Sequence, residues 1–558
     1  GKEELLGSVT YNGWKPDQVD LSSLAAYVEQ SDNHFPTLTV KETFEFAHKC
    51  LVGTVDSNDS LAANEEHAVD ILISVLGLTE CTDTIIGDDM VRGVSGGQKR
   101  RVTLGEMLTG HASALLLDEF SNGLDASTAY DIAKVIRSMA NILGNTVVMS
   151  MLQPPPEVYD LFDNILVLDK GQVIYNGPRT ELPAYFEFIG YVCPPRKDMA
   201  DFLQEVTTHL GERFFLPQAR EPLVSVVAFS DQFKASELHL RLLGDLSVAT
   251  VRPLPHSTKR PLTYFESLQV VLARTWMANA RNVRFNRVRV IQSLVIGTIL
   301  GTIFLDIGRN TDPSQERKFA ATKLGLYFVS MIYNAFITSS SVEAGVARRA
   351  VLYKQTAYHF FPVSTYVLAD SLVEALTNIP TTFAFCLPLY FAAGLHASAA
   401  AFFSFVAIIY LFAILYSFMF RCFTAITPEV ISVKVRVILL VFLHCIFSGY
   451  IVPEAAIPKA WLWFYWINPV AWAMRALFQI EYLSSSPLFD SSLGNARFGD
   501  AILLAYGFSS NGAYVGGGAV FLADLALVLV TATAFGYSRV RLVAIHIHVS
   551  SSMDIASN

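Results

Sequence analysis

The chain has 558 residues, a formal net charge of −9, and 52% hydrophobic residues against 16% charged ones. Because one hydrophobic core rarely organises so long a chain, we expect at least two domains. The acidic balance gives no reason to invoke nucleic acid as a partner. The six cysteines form no CxxC pair, which argues against a disulfide framework and against a zinc site.

The first part of the chain has the pattern of an α/β domain. Residues 1–210 alternate short β-type runs with helical patterns. The runs 114–118 (ALLLD) and 146–150 (TVVMS) are apolar runs without polar alternation, which predicts strands buried on both faces. Residues 165–175 contain two β-type runs around a Lys-Gly turn and predict a hairpin.

The remaining chain changes character. Residues 211–264 form a mixed, proline-containing stretch that we interpret as a linker. Residues 265–287 place apolar side chains at helical spacing and end in a cluster of Arg281, Arg284 and Arg287, which predicts an amphipathic connecting helix at a membrane surface. Residues 288–541 hold six segments long enough to span a bilayer, and residues 542–558 form a tail. The predicted spans are 288–306, 321–341, 365–394, 401–422, 431–452 and 516–537.

Cationic residues predict the orientation of these spans. Lys and Arg precede the first span, follow the second, separate the fourth from the fifth, and follow the last. The loop after the third span has none, although Arg309, Arg317 and Lys318 weaken the signal in the first external loop. We therefore expect an integral membrane protein whose two termini and α/β domain are cytosolic.

An aromatic run, residues 461–466 (WLWFYW), lies between the last two predicted spans. One interpretation is a box of rings for a ligand. The other is an interfacial belt or re-entrant helix, since Trp and Tyr favour the headgroup level of a bilayer. We prefer the second interpretation on that ground.

Four residues at the predicted start of a helix have the pattern of an anion site. They are Ser95, Gly96, Gly97 and Gln98. Two glycines let the backbone approach an anion closely, and the helix end presents N–H groups and partial positive charge. The pattern therefore predicts contact with phosphate.

An acidic pair follows one helix later. The apolar run 114–117 ends in Asp118 and Glu119, and a tight turn then leads to Asp125. One carboxylate at such a strand end can hold Mg²⁺, while the next orients or activates water. The order and spacing of these motifs predict a nucleotide-hydrolysing site.

This series of motifs resembles the signature, Walker B and D-loop of ABC transporter ATPases. In that resemblance Glu119 is the catalytic carboxylate, and Asp118 and Gln30 hold Mg²⁺ together with ATP. Gln30 is then the Q-loop glutamine. The resemblance implies these ATP-binding residues: Gln30, Ser95, Gly96, Gly97, Gln98, Asp118, Asp125 and Leu152, the last at a degenerate switch position.

The chain is most similar to subfamily G, in which the ATPase precedes the spans. Residues 92–98 (RGVSGGQ), 152–163 (LQPPPEVYDLFD), 201–207 (DFLQEVT) and 465–469 (YWINP) resemble the first half of full-size pleiotropic drug resistance transporters. The resemblance implies an α/β P-loop-type ABC ATPase domain followed by an all-α transmembrane domain of six helices. It implies ATP-dependent export of amphipathic or lipid-like small molecules across the plasma membrane. Two such halves, joined in one polypeptide or associated as a dimer, would form the transporter. Membrane lipids would surround its spans.

Two departures limit this expectation. No Gly-x-x-x-x-Gly-Lys-Ser/Thr loop (Walker A) occurs, and we interpret the ATPase domain, residues 1–210, as beginning just past it. Leu152 stands where relatives have a histidine, and it cannot hydrogen-bond a phosphate. In the family a signature caps ATP held by the partner, so Ser95 to Gln98 are expected to serve the partner's site. The chain's own site is expected to be slow or silent. The alternative is an inactive membrane fragment or a regulatory half-transporter.

Overall fold

The structure is a computed structural model. It describes residues 9–15, 18–19, 24–53, 67–88, 91–110, 112–121, 124–216, 222–223, 225–247, 262–309, 313–427, 429–483, 492–493 and 496–554. The chain divides into two units. The first comprises Gly1–Leu262, Ala357–Phe360 and Leu542–Asn558, and the second comprises Thr263–Thr356 and Phe361–Arg541.

The first unit contains a three-stranded sheet in the order β1-β2-β3. β1 spans Ala25–Val28, β2 spans Ala114–Leu117 and β3 spans Thr146–Met149. Both pairings are parallel. Parallel neighbours need crossover connections, and helices provide them here, as the α/β pattern predicts.

The helices of this unit are short or of medium length. They are α1 Val40–Val52, α2 Ala68–Val75, α3 Gly96–Leu108, α4 Ala126–Leu143, α5 Pro156–Tyr159, α6 Leu182–Phe188, α7 Met199–Glu205, α8 Val226–Lys234 and α9 Glu237–Ser247. The predicted hairpin is present as β4, Asn164–Asp169, and β5, Gln172–Pro178. Lys170 and Gly171 turn it with φ of 44° and 73°, a conformation that glycine adopts without strain.

One face of the parallel sheet is exposed. Register places Tyr27 opposite Leu116 and Leu116 opposite Val148. These three side chains are 38%, 38% and 56% exposed, whereas Leu115 and Leu117 are buried. The prediction that β2 and β3 are buried on both faces is therefore wrong, because no element among the described residues covers the second face.

Part of the predicted linker, residues 211–264, is folded. α8 buries Val226, Phe229 and Phe233, which lie at helical spacing, in the hydrophobic cluster that contains Tyr175 of β5. Their burial stabilises α8 against the first unit. The mixed composition that suggested a linker conceals this apolar stripe.

The second unit is almost entirely helical. Its helices are α10 Tyr264–Ala280, α11 Val283–Ile303, α12 Pro313–Thr338, α13 Ser341–Ala357, α14 Val363–Ala392, α15 Ala399–Ile426, α16 Val430–Ile446, α17 Leu462–Ile467, α18 Pro469–Tyr482, α19 Phe498–Ala505 and α20 Ala513–Asp554. A small antiparallel pair, β6 Ser492–Leu493 and β7 Ala496–Arg497, precedes α19. Since α20 continues to Asp554, it includes most of the tail predicted at residues 542–558, and its residues from 542 onward belong to the first unit.

The predicted number of six spans is not confirmed. Within the described ranges, four helical stretches are long and apolar enough to cross a membrane: Gln315–Ala357, Val363–Ala392, Ala399–Ile426 and Ala513–Arg539. α11 covers the first predicted span but includes Arg284, Arg287 and Arg289, which lower its apolar character. α16 covers the fifth and has only 17 residues.

Two rings of the aromatic run and two rings from outside it contact the guanidinium group of Arg475. The guanidinium carbon of Arg475 lies 4.5 Å from the ring centroid of Trp466 and 5.5 Å from that of Tyr465. Trp472 and Tyr514 stand at 5.4 and 5.1 Å. Such contacts stabilise a desolvated cation. The arrangement favours a packing role for these rings over a ligand box.

Candidate functional site

Four polar residues meet beyond the carboxyl ends of the parallel strands. Gln30, Asp118 and Ser150 follow β1, β2 and β3 at the same edge of the sheet, and Glu119 comes directly after Asp118. Gln30 Nε2 donates to Glu119 Oε2 at 2.6 Å, and Ser150 Oγ donates to Asp118 Oδ1 at 2.7 Å. The Glu119 N–H donates to Ser150 Oγ at 2.9 Å. The structure thus brings the predicted Q-loop glutamine and the acidic pair together.

A tyrosine completes the surroundings of Asp118. Tyr27 Oη donates to Asp118 Oδ2 at 2.8 Å, so both carboxylate oxygens accept hydrogen bonds from neutral hydroxyls. Burial, reinforced by the hydrogen bond to Asp118, raises the pKa of Tyr27, which keeps the phenol protonated. Glu119 has a φ of 42°, an uncommon conformation for a non-glycine residue and one that clusters at functional sites.

A buried arginine ties this site to α3. Arg100 Nη1 donates to the carbonyl of Glu29 at 2.5 Å and to that of Gln30 at 3.3 Å. Its Nη2 donates to the Asp118 carbonyl at 3.1 Å, and its Nε to that of Phe120 at 3.1 Å. One guanidinium therefore fixes the backbone on both sides of the acidic pair.

The predicted anion site lies at the start of α3. Ser95 is the N-cap: its Oγ accepts the Gln98 N–H at 3.3 Å, and Gln98 Oε1 accepts the Ser95 N–H at 2.9 Å. This reciprocal capping box holds the helix end in place. A Cβ added to Gly96 would meet no atom within 4 Å, whereas one added to Gly97 would lie 3.4 Å from Thr128. The space in front of the helix end is open at Gly96.

Two further predicted residues lie on neighbouring segments. Asp125 is the N-cap of α4, and its Oδ2 accepts the Thr128 N–H at 3.0 Å. Hydrogen bonds from the side chain of Thr128 and from its N–H lower the pKa of Asp125. Asn122 and Gly123, within the predicted turn, lie outside the described residues. Leu152 is exposed, and its carbonyl accepts a hydrogen bond from the Gln204 amide. Its apolar side chain offers nothing to a phosphate.

Sequence reasoning missed Tyr27, Arg100 and Ser150. A signal for two of them was present. Ser150 follows β3 as Asp118 follows β2, and Tyr27 lies opposite Leu116, on the face to which Asp118 also belongs. Arg100 could not be found this way, because its partners are backbone carbonyls.

The donor set suits magnesium. Asp118, Glu119 and Gln30 offer carboxylate and amide oxygens, the hard ligands that Mg²⁺ prefers. Within the described ranges no group of three or more His, Cys, Asp or Glu residues could hold a metal ion. Mg²⁺ commonly takes one or two protein carboxylates and completes its shell with water and phosphate oxygens.

The second unit holds a cluster of buried charges among its long helices. Glu374 Oε1 lies 3.2 Å from Arg289 Nη2, and its Oε2 accepts from Arg421 Nη2 at 2.8 Å. Arg421 also pairs with Asp370. Arg348 Nη1 lies 3.5 Å from Asp370 Oδ1, so the two acids are paired with three arginines, in keeping with the rule that buried charges are paired. This cluster joins α11, α13, α14 and α15.

Comparison with known families defines the class. The family described as ABC transporter matches residues 3–122, and the family described as ABC-2 type transporter matches residues 266–482. The chain therefore joins an ABC transporter nucleotide-binding domain to an ABC-2 type membrane domain.

The relatives narrow this class. The chain is 32% identical to ABC transporter G family member 48 of Oryza sativa subsp. japonica over 92% of the chain and 37% of the relative. It is 33% identical to ABC transporter G family member 35 of Arabidopsis thaliana over 90% of the chain and 37% of the relative. It is 32% identical to pleiotropic drug resistance protein TUR2 of Spirodela polyrhiza over 87% of the chain and 36% of the relative. The chain is a homologue of the G family of ABC transporters, which confirms the resemblance. It spans little more than a third of the length of these relatives.

Proposed function

We propose that this chain is one half of an ATP-driven G-type transporter that exports amphipathic or lipid-like small molecules across the plasma membrane. The convergence of Gln30, Asp118, Glu119 and Ser150 at one sheet edge, in a chain with an ABC-2 type membrane domain, carries the proposal. Six spans, with both termini in the cytosol, complete the proposed arrangement.

Each residue of the site then has a task. Asp118, held by Tyr27 and Ser150, presents a carboxylate to Mg²⁺. Gln30 holds Glu119 in the structure, and it is placed to join the metal shell on loading. Glu119 orients a water molecule and accepts its proton as the water attacks the terminal phosphate. Mg²⁺ and ATP, when bound, supply charge neutralisation and the bond that is broken.

A second ATPase–membrane half, in the same polypeptide or as a dimer partner, is part of the proposal. Two observations support it. The helix end at Ser95 and Gly96 is open, as a surface that caps a partner's nucleotide should be. The exposed face formed by Tyr27, Leu116 and Val148 is that of a parallel sheet, and such sheets are normally covered on both faces.

A regulatory half-transporter is the second candidate. Leu152 favours it, because an exposed leucine at the switch position can neither polarise water nor hold a phosphate. In this alternative the chain completes the partner's site while its own site stays silent. The two candidates therefore differ in the role of Glu119.

Gly96→Asp tests the capping role. A side chain at Gly96 meets no neighbour, so the fold should be retained, while the added carboxylate repels phosphate. We expect at least a tenfold loss of vanadate-sensitive ATPase in proteoliposomes that contain this chain and a second G-type half. Gly244→Asp, on α9 and equally open, is the matched control and should change nothing. Normal activity of the Gly96→Asp pair would contradict the proposal.

Two further measurements separate the candidates. Glu119→Gln should lower activity of the pair if this chain's site hydrolyses ATP, and leave it unchanged if the chain is regulatory. The purified chain alone should show no vanadate-sensitive ATPase. Robust activity of the chain alone would overturn the requirement for a second half.

A further inference from the structure

A second buried cluster of charges lies in the second unit, and the proposed function makes no use of it. Glu316 and Lys323 lie on α12, and Glu481 lies near the end of α18. Lys323 Nζ donates to Glu316 Oε1 at 2.7 Å and to Glu481 Oε1 at 2.8 Å. Glu316 and Lys323 are 0% exposed and Glu481 is 3% exposed. One ammonium is thus shared by two carboxyl groups.

The charges of this cluster do not balance if both carboxyl groups are ionised. Two carboxylates and one ammonium leave one negative charge in a site closed to water. The phenols of Tyr327 and Tyr482 also face Glu316, and Tyr390 faces Glu481. Neutral phenols can donate hydrogen bonds but cannot cancel a charge. A buried, uncompensated charge costs much more free energy than a buried neutral carboxyl group.

The hydrogen bonds show which carboxyl group is the unbalanced one. Glu481 uses both oxygens, since Oε1 accepts from Lys323 and Oε2 accepts the His396 N–H at 3.1 Å. Glu316 Oε1 accepts from Lys323 and from the Tyr482 hydroxyl, the latter at 2.8 Å. Glu316 Oε2 is buried and has no hydrogen-bond partner within the part of the chain that the structure describes. Both oxygens of Glu481 accept hydrogen bonds, as those of an ionised carboxylate do, whereas Glu316 Oε2 accepts none from the described residues.

We propose that Glu316 is a proton-binding site of the membrane unit. A proton bonded to Oε2 makes the cluster neutral, with Lys323 and Glu481 as its ion pair. A metal cation fits less well, because it needs several oxygen ligands and Oε2 is a single unpartnered oxygen. When α12 and α18 separate and water enters, the O–H bond breaks and the proton passes to water. The proposal concerns this cluster alone and holds whether or not the chain hydrolyses ATP.

Infrared difference spectroscopy of the purified chain in detergent tests this directly. A protonated carboxyl group has a C=O band that an ionised one lacks, and the band shifts in heavy water. We expect this band at neutral pH and its loss on alkaline titration. It should be absent from Glu316→Gln. It should also be absent from Glu481→Gln, because Glu316 is then the carboxyl group that remains beside Lys323 and ionises to balance it. Glu343→Gln removes an exposed carboxylate that pairs with Lys434, and it serves as the matched control.

Thermal unfolding of the same variants is an independent readout. Because glutamine resembles a protonated glutamate, Glu316→Gln should unfold at the temperature of the unmodified chain. Glu481→Gln leaves Glu316 as the ionised partner of Lys323 although its Oε2 is buried without a hydrogen-bond partner among the described residues, so this variant should unfold at a lower temperature. A Glu316→Gln variant that unfolds earlier than Glu481→Gln, or fails to fold, overturns the proposal. So does an unmodified chain that shows no protonated carboxyl band at neutral pH.

Discussion

Replacing Arg100 with methionine should be among the most damaging single changes in the first unit. Arg100 is 4% exposed, and its guanidinium bonds four backbone carbonyls and the Asp32 carboxylate, whose Oδ1 lies 3.2 Å from Nη1. Methionine keeps the buried stem of the side chain and removes every one of these donors. The carbonyls and Asp32 are then left without their charged partner.

The magnitude follows from these contacts. Hydrogen bonds to a charged group contribute ~1.5–3 kcal/mol each, but contacts from one guanidinium do not add independently. Breaking a buried ion pair costs ~3–5 kcal/mol. We therefore expect Arg100→Met to lower the free energy of unfolding of the first unit by ~4 kcal/mol, close to a thousandfold in the equilibrium constant.

Pulse proteolysis in urea measures this free energy on the full chain in detergent, with cleavage followed in the first unit. Hydrogen exchange should also accelerate at residues 29–32 and 118–120, because Arg100 holds that backbone. The control is Arg137→Met, which removes an exposed pair with Asp163 and should cost less than ~1 kcal/mol. A loss from Arg100→Met no larger than that of the control would refute the reasoning.

Three other changes follow from single features. Gly105→Ala on α3 places a Cβ against the ring of Phe44, and this overpacking should cost ~1–3 kcal/mol by urea unfolding. Glu374→Ala removes the buried carboxylate that Arg289 and Arg421 share in the second unit and should cost ~3–5 kcal/mol, measured as a lower melting temperature. Hydrogen bonds from Arg137 lower the pKa of Asp163 below its unfolded value, so this stabilisation is present above the unfolded pKa of about 4 and is lost as the pH falls through the folded pKa.

Each of these has its own control. Gly144→Ala is unsuitable beside Gly105→Ala, because Gly144 has a φ of 70°; Gly244→Ala, in open space, should be neutral or stabilising. Glu343→Ala removes an exposed acid and should leave the melting temperature unchanged, in contrast to Glu374→Ala. Asp163→Asn should flatten the acid limb of a melting-temperature profile against pH, and an unaltered limb would contradict the assignment.

Local patterns predicted the parts of the fold that depend on neighbouring residues. The start of α3 at Ser95 and the hairpin turn at Lys170 were readable, because capping and turn chemistry act within a few positions. The meeting of Gln30 with Glu119 was implied by the family resemblance, and the parallel strands supply its physical reason. The helix start and the hairpin turn were predicted because each depends on residues that are contiguous in the chain.

Features that depend on distant partners were not predicted. In the sequence, Arg100 is one of three consecutive cationic residues near the start of α3. Only the fold shows that it donates hydrogen bonds to carbonyls some seventy positions away. The helix α8 was hidden within an apparent linker, since its apolar stripe matters only against β5. The apolar run of β2 predicted burial on both faces, because sequence cannot tell which element supplies the second cover.

The open sheet face formed by Tyr27, Leu116 and Val148 also bears on the life of the chain in a cell. An apolar strip of this kind is what chaperones and proteases recognise in incompletely assembled proteins. In the proposed function, a chain that carries such a strip is incomplete until a covering element binds to it. Its abundance should therefore follow the supply of the covering element, so that synthesis in excess leads to degradation.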